Sequence, residues 1–311
     1  MSEKNRVGAV LGVLVALGSG VAVAQDISTY YTVMHPEEFK IDWKAAYTKA
    51  NELTQATRKR LPHELDVAYG ADRKQHLDIY LPKNQPKDAP VLIFLHGGGN
   101  REGDRAQYGY VADPFAQHGI VTVVASYRLQ PASPWPAQRD DAQAIVAWVY
   151  HNIERYGGDP EKIYLSGHSA GSNLTAILAY RDAWRKQRSL PRDVLKGVAL
   201  HSAVASEPRK DISDPQLAAE TDVLRNTTSP PRRNVLAAGG EELKGAAGEK
   251  ARQATEQMAQ QLRAMGATAN VVFPEGLDHA TLVLSLADAS SELTKAMLAM
   301  IESDRASSSD Q

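Results

Sequence analysis

A serine flanked by glycines carries the chemistry of this chain. Ser169 sits in Gly167-His168-Ser169-Ala170-Gly171, directly after the apolar run Ile163-Tyr164-Leu165 and before the helix-like stretch Asn173 to Tyr180. A G-x-S-x-G pentapeptide between a strand and a helix is the sequence form of an activated nucleophile. Its glycines permit a turn too tight for most side chains, which lifts the hydroxyl above the end of a sheet.

Such a hydroxyl needs a base, an acid behind the base, and donors for the charge that develops on a carbonyl oxygen. His96-Gly97-Gly98-Gly99 follows the continuous apolar run Val91 to Leu95, which reads as a strand buried on both faces. The N–H groups of Gly97 and Gly98, with that of Ala170, are the candidate oxyanion donors. His279, in Pro274-Glu275-Gly276-Leu277-Asp278-His279, is the candidate base. It is expected in a loop between a strand at 269–273 and a C-terminal helix beginning near Thr281. The acid is sought after the run Leu236-Ala237-Ala238, where Gly239-Gly240-Glu241-Glu242 offers two carboxylates. Asp278 is set aside, because a residue adjacent to the histidine points elsewhere. The chain order serine, acid, histidine refers to positions Ser169, Glu241 or Glu242, and His279, and it selects His279 over a surface reading. His96 is read as structural within its glycine turn. His35, His63, His76, His118, His151, His168 and His201 show no ligand spacing and are read as structural too.

Bulk properties narrow the classes. The chain has 311 residues, 43% of them hydrophobic, and a net charge of −2, which supports a sizeable core and leaves no nucleic-acid footprint. It has no cysteine, which excludes disulfides, cysteine zinc sites and a lipid-modified cysteine. Acyl transfer through a serine requires no cofactor and no metal. At the N-terminus, Lys4 and Arg6 precede an apolar stretch from Val7 to Val23, and Ala22-Val23-Ala24 stands before Gln25. This is the pattern of a cleaved export signal over residues 1–24. It implies an exported, periplasmic or secreted protein with no stable membrane insertion after cleavage.

The elements that must position these residues follow from periodicity. Residues 25–62 are expected to form a helical N-terminal segment, with Trp43, Tyr47 and Leu53 on a face that packs on the body. Leu65 to Tyr69 and Leu77 to Leu81 alternate like antiparallel strands around a turn at Gly70-Ala71-Asp72. Strands are then predicted at 91–95, 120–125, 162–166, 197–201, 234–238 and 269–273. Helices are predicted near 106–118, 138–155, 171–182, 248–265 and 281–302. This alternation gives an α/β class: a mainly parallel sheet over 63–305, helices on both faces and an antiparallel N-terminal edge. Two stretches stand out. Arg181 to Lys196 is rich in Arg and Lys around Trp184 and reads as the solvated face of a helix and loop. Ser206 to Arg233 is a polar insertion between two strands, and 306–311 is a polar tail.

In this order the motifs resemble the α/β-hydrolase fold. More narrowly, they resemble its esterases with an HGG oxyanion motif, the hormone-sensitive-lipase-like, feruloyl-esterase-like and kynurenine-formamidase-like enzymes. The resemblance runs from about Leu65 to Met300. It takes in Leu77-Asp78-Ile79-Tyr80-Leu81-Pro82, Tyr127-Arg128-Leu129, Gly157-Gly158-Asp159-Pro160, the Ser169 turn and Gly276-Leu277-Asp278-His279. It implies Ser169 as nucleophile, His279 as base and Gly97 and Gly98 in the oxyanion hole. The acid of the family falls on Glu242, three residues past Gly239, although most members carry aspartate there, so Glu241 stays open. The implied activity is hydrolysis of a small or medium carboxylic ester. An arylformamidase or amidase with the same residues is the alternative, and a non-catalytic binding domain a second.

Overall fold

The computed structural model describes residues 41–84, 87–202, 209–210 and 212–308. The expected export signal, with Gln25 and His35, lies outside the described residues, as do 206–208 and 211 of the insertion and 309–311 of the tail.

Helix α1 (Trp43–Arg60) opens the described chain, followed by strands β1 (His63–Ala68), β2 (His76–Tyr80) and β3 (Ala89–Leu95). Then come α2 (Ala112–Gln117), β4 (Val121–Ala125), α3 (Ala137–Asn152), β5 (Gly158–His168), α4 (Ala170–Ala179), α5 (Ala183–Gln187) and β6 (Leu195–His201). The insertion contains α6 (Pro215–Ala219) and α7 (Val223–Asn226). The chain closes with β7 (Arg233–Ala237), α8 (Gly245–Ala264), β8 (Thr268–Val272), α9 (His279–Leu284) and α10 (Glu292–Ser308).

The eight strands form one sheet in the order β1-β2-β4-β3-β5-β6-β7-β8. β1 and β2 pair antiparallel, β2 meets β4 antiparallel, and every later pairing is parallel. The expected parallel sheet with an antiparallel edge is therefore what the chain adopts. β3 is buried along its whole length, and its residues alternate between two cores. Val91, Ile93 and Leu95 join one apolar cluster, while Leu92 and Phe94 join the other. A strand covered on both faces has no polar side, which is why its sequence reads as a continuous apolar run.

α1 is fixed to this body at its C-terminal half. Thr54 donates to the Gln107 carbonyl at 3.0 Å and accepts from Tyr110 N. Arg58 reaches buried Asp78 at 3.0 Å and the Tyr80 hydroxyl at 3.1 Å. Its N-terminal half, capped by Asp42, carries Trp43 and Tyr47 toward the ends of the parallel strands.

Three helices depart from the predicted spans. The stretch 106–118 begins as two short 3₁₀ turns, because a Cβ at Gly109 would stand 2.1 Å from the Tyr80 hydroxyl and the chain must pass close there. The helix predicted to reach 182 ends at Ala179. The helix predicted over 281–302 is broken: Asp288 is extended, and its carboxylate accepts from Ser290 N and Oγ at 2.7 and 2.8 Å. Such a local bond offers the backbone an alternative to the helix, and Ser291 then caps the restart at Thr294 N. α10 continues to Ser308, past the expected start of the tail.

Candidate active site

The site is assembled at the C-terminal ends of the parallel strands. β5 ends at His168, α4 begins at Ala170, and Ser169 bridges them at φ 53°, ψ −116°. Both neighbouring glycines are required by space. A Cβ on Gly167 would stand 2.3 Å from the Gly171 carbonyl oxygen, and one on Gly171 would stand 2.2 Å from that of Leu95. A non-glycine residue at this φ costs on the order of 1–3 kcal/mol, so the surroundings must hold it. They do so through the Ser169 N–H, which donates to the His201 carbonyl at 2.8 Å, and the Ser169 carbonyl, which accepts from Asn173 N at 3.1 Å.

His279 is not in a loop, as its sequence context suggests; it is the first residue of α9. Asp278 is the N-cap, accepting from Ala280 N and Thr281 N at 3.0 and 2.7 Å. That task occupies the carboxylate next to the histidine. The acid facing His279 is Glu242: its Oε2 lies 2.7 Å from His279 Nδ1. Its Oε1 accepts from Ser202 Oγ at 2.7 Å and from Gly239 N at 2.8 Å. Glu241 instead turns outward to Lys244, at 2.6 and 2.7 Å. With a carboxylate at Nδ1, that nitrogen carries the proton and Nε2 keeps its lone pair, the arrangement a general base requires.

Backbone contacts stitch the acid and histidine loops together. Gly240 N donates to the Pro274 carbonyl at 2.8 Å and Glu241 N to that of Leu277 at 3.0 Å. At Gly239 a Cβ would lie 2.3 Å from the Leu277 oxygen, so only glycine permits this crossing.

Gly97 passes over the nucleophile. A Cβ built there would sit 3.2 Å from Ser169 Cβ and 2.9 Å from His168 Nδ1. Its N–H faces the buried Tyr108 hydroxyl, whose pKa burial pushes up and this N–H holds back. Gly98, at φ 102°, is forced to be glycine, since a Cβ would meet the Glu102 carbonyl oxygen at 2.3 Å. The Ala170 N–H is the first of α4 and has no intrahelical acceptor. Of the three candidate donors, the Gly97 N–H is thus already engaged by Tyr108. His96 locks this loop: Nδ1 donates to the Gly97 carbonyl at 2.7 Å, and the ring stacks on Tyr127 at 4.3 Å. The Tyr127 hydroxyl donates to the His96 carbonyl at 2.8 Å. Burial lowers the His96 pKa to about 4, so the ring is neutral at pH 7.

Three residues near the site carry no sequence signal. His168 lies with its ring 4.6 Å from that of His279, and its Nε2–H donates to the His279 carbonyl at 2.9 Å. Burial holds its pKa well below the usual value, with His279 and His201 adding to the shift. Ser202, at φ 59°, closes β6 and holds Glu242. Trp43 of α1 meets the His279 ring edge-on at 6.1 Å and 76°. Among the described residues, no group of three or more His, Asp or Glu side chains is placed to hold a metal ion. Nor is any helix there long and apolar enough to cross a membrane.

Comparison with known proteins agrees with this fold. The family model BD-FAE matches residues 77–206, which include the HGG loop and the Ser169 turn. Esterase LipC of Mycobacterium tuberculosis is 35% identical over 147 residues, 47% of this chain and 36% of LipC. The chain therefore aligns with little more than a third of that relative's length. Kynurenine formamidase of Danio rerio is 27% identical over 266 residues, covering 83% of this chain and 86% of that protein. The solved esterase of Pyrobaculum calidifontis superposes with a TM-score of 0.62 at 19% identity, over 85% of this chain and 94% of that one. The chain has the α/β-hydrolase fold. In this α/β-hydrolase Ser169, Glu242 and His279 follow the C-terminal ends of β5, β7 and β8, in chain order.

Proposed function

We propose that this α/β-hydrolase is a serine carboxylic-ester hydrolase acting on a small or medium ester. The observation that carries the proposal is the Glu242–His279 contact of 2.7 Å, formed beside a strained Ser169 turn. His279 Nε2 draws the proton from Ser169 Oγ as the oxygen attacks the ester carbonyl. The tetrahedral oxyanion rests on the N–H groups of Gly98 and Ala170, with Gly97 the third candidate. Loss of one such donor typically costs about 10²–10³ in kcat. Collapse releases the alcohol, which takes the proton from His279, and leaves Ser169 acylated. Water, deprotonated by His279, attacks the acyl-enzyme and frees the acid and the serine. No step needs a metal or cofactor.

The similarity to LipC and to the solved esterase supports the ester reading. The kynurenine formamidase match, which extends over most of that protein, favours a second reading, hydrolysis of an aryl formamide by the same residues. Export through the N-terminal signal, leaving Gln25 at the mature end, belongs to the ester reading and is checked by the mass of the exported protein. Turnover of p-nitrophenyl acetate, p-nitrophenyl butyrate and N-formylkynurenine, measured side by side on wild type and Ser169→Ala, tests both. Ester turnover lost in the variant supports the first reading. Turnover of the formamide alone would replace it with the second, and ester turnover surviving in the variant would overturn the role of Ser169.

A further inference from the structure

Among the histidines that spacing marks as structural, His168 stands where the parts of the site meet. It ends β5, immediately before Ser169, and is 3% exposed. Its Nε2–H donates to the His279 carbonyl at 2.9 Å, and the two imidazole centres lie 4.6 Å apart at 49°. On its other side, a Cβ built on Gly97 would stand 2.9 Å from its Nδ1, so the ring also abuts the oxyanion loop. One side chain thus joins the nucleophile's strand, the Gly97 turn and the first residue of the base's helix.

The two ring nitrogens are used unequally. A carbonyl can only accept, so the proton is on Nε2 and Nδ1 carries a lone pair. That Nδ1 is buried with no hydrogen-bond partner. A buried acceptor left unsatisfied costs about 1–3 kcal/mol, and a phenyl ring of nearly the same shape would avoid it. What sets this histidine apart from an apolar ring is therefore the Nε2 donor.

That donor is aimed at a place that needs holding. α9 has six residues and His279 is the first of them. Helix ends fray, so a base placed there requires anchoring from other segments. Asp278 caps the turn through Ala280 N and Thr281 N, and Glu242 holds the imidazole at Nδ1. His168 instead grips the main chain of His279, and does so from the residue next to the nucleophile. Its ring must also stay neutral, because His279 becomes an imidazolium beside it when it takes the serine proton. Burial holds His168 well below the usual histidine pKa, and His279 and His201 push the same way.

We infer that His168 is a positioning residue for the base: its Nε2–H fixes the start of α9 and so keeps the His279 imidazole aligned with both Ser169 and Glu242. This inference rests on the serine-hydrolase reading above and deepens it. A misplacement of reacting groups by 1 Å costs about a hundredfold in rate, so one hydrogen bond to the base's own peptide has kinetic weight.

The test compares His168→Phe, which keeps a ring and loses the donor, with His168→Gln, whose amide nitrogen reaches the position of Nε2 without a ring. Each full-length protein is assayed for p-nitrophenyl acetate turnover and for the rate at which a fluorophosphonate labels Ser169. His168→Phe should lower kcat and the labelling rate by about 10- to 100-fold while KM stays within about twofold, the pattern of lost alignment in the transition state. His168→Gln should recover most of both rates. A ring that merely fills space gives the opposite ranking, with His168→Phe near wild type and His168→Gln impaired, and that result would overturn the inference. So would equal losses in the two variants. Where circular dichroism shows that His168→Phe does not fold, His168→Asn replaces it: its amide is too short to reach the carbonyl, and it should show the same loss relative to His168→Gln. Labelling also separates this inference from the ester reading. A wild type labelled at Ser169 but inert toward esters would remove the ester reading and leave the comparison of labelling rates to decide on His168. A folded wild type that is never labelled would overturn both.

Discussion

Ser202 Oγ donates to Glu242 Oε1 at 2.7 Å, binding the carboxylate oxygen that His279 does not use. The acid is thereby held from both sides, by a hydroxyl at the end of β6 and by the Gly239 N–H of its own loop. A hydrogen bond to a charged group contributes about 1.5–3 kcal/mol. Ser202→Ala should therefore lower kcat by roughly tenfold or more while KM changes little. An unchanged kcat would show that Gly239 alone orients the carboxylate.

Glu242→Gln keeps the shape of the acid but removes its charge and permits the wrong histidine tautomer. Losses of about 10⁴ in kcat accompany such a change in a serine hydrolase triad. Glu241→Gln, by contrast, touches only the surface pair with Lys244 and should leave kcat within about twofold. The reverse ranking would move the acid by one position.

Gly97→Ala would place a methyl group 2.9 Å from His168 Nδ1 and 3.2 Å from both the His168 carbonyl oxygen and Ser169 Cβ, contacts looser than those at Gly171. The fold should survive and kcat fall by about a hundredfold, the scale of a 1 Å misplacement. Gly171→Ala, whose Cβ would sit 2.2 Å from the Leu95 oxygen, should instead reduce soluble yield and Tm. Circular dichroism and kinetics on both variants separate the two effects, and a fully active Gly97→Ala would remove that close approach from the account.

Acid should destabilise this protein through its buried histidines. Burial lowers His96 from 6.5 to about 4 and His201 from 6.5 to about 3. The unfolded chain then binds more protons than the native one between those values, so stability rises with pH through the window. Their contribution is complete above about pH 6.5 and is lost as pH falls through about 4 and then about 3, a change on the order of several kcal/mol. Urea midpoints measured from pH 7 to pH 4 should fall steadily, and His201→Gln should flatten the slope. A constant midpoint would contradict the buried neutral state.

Trp43 should matter to the base although it stands far from it in sequence. Trp43→Ala removes the edge-on ring from His279 and should lower kcat several-fold, with Trp43→Phe restoring part of it. Equal kinetics in all three proteins would limit α1 to a structural part.

What the sequence displayed depended on whether a residue's surroundings were local. β3 and the Ser169 turn were legible because burial on both faces and steric need for glycine leave marks in adjacent residues. Glu242 came only through the resemblance, since choosing between neighbouring glutamates depends on how the Gly239 loop crosses the Leu277 loop. His168, Ser202 and Trp43 were invisible as site residues because each acts through a contact formed by distant segments. The break before α10 was missed because a side chain, Asp288, took over a backbone donor inside an otherwise helical pattern. Arg185 was misread because charge alone marks a surface, and only the fold shows that it is buried.

The central claim is that Ser169 is the nucleophile, made so by His279 and Glu242. Treatment with a fluorophosphonate, followed by mass measurement of the intact protein and its peptides, tests it most directly. The account predicts one phosphonyl adduct, on the peptide containing Ser169, formed at least a hundredfold more slowly (on the order of 10² or greater) in Glu242→Gln and absent in Ser169→Ala. An adduct on another residue, or none on a folded protein, would contradict it.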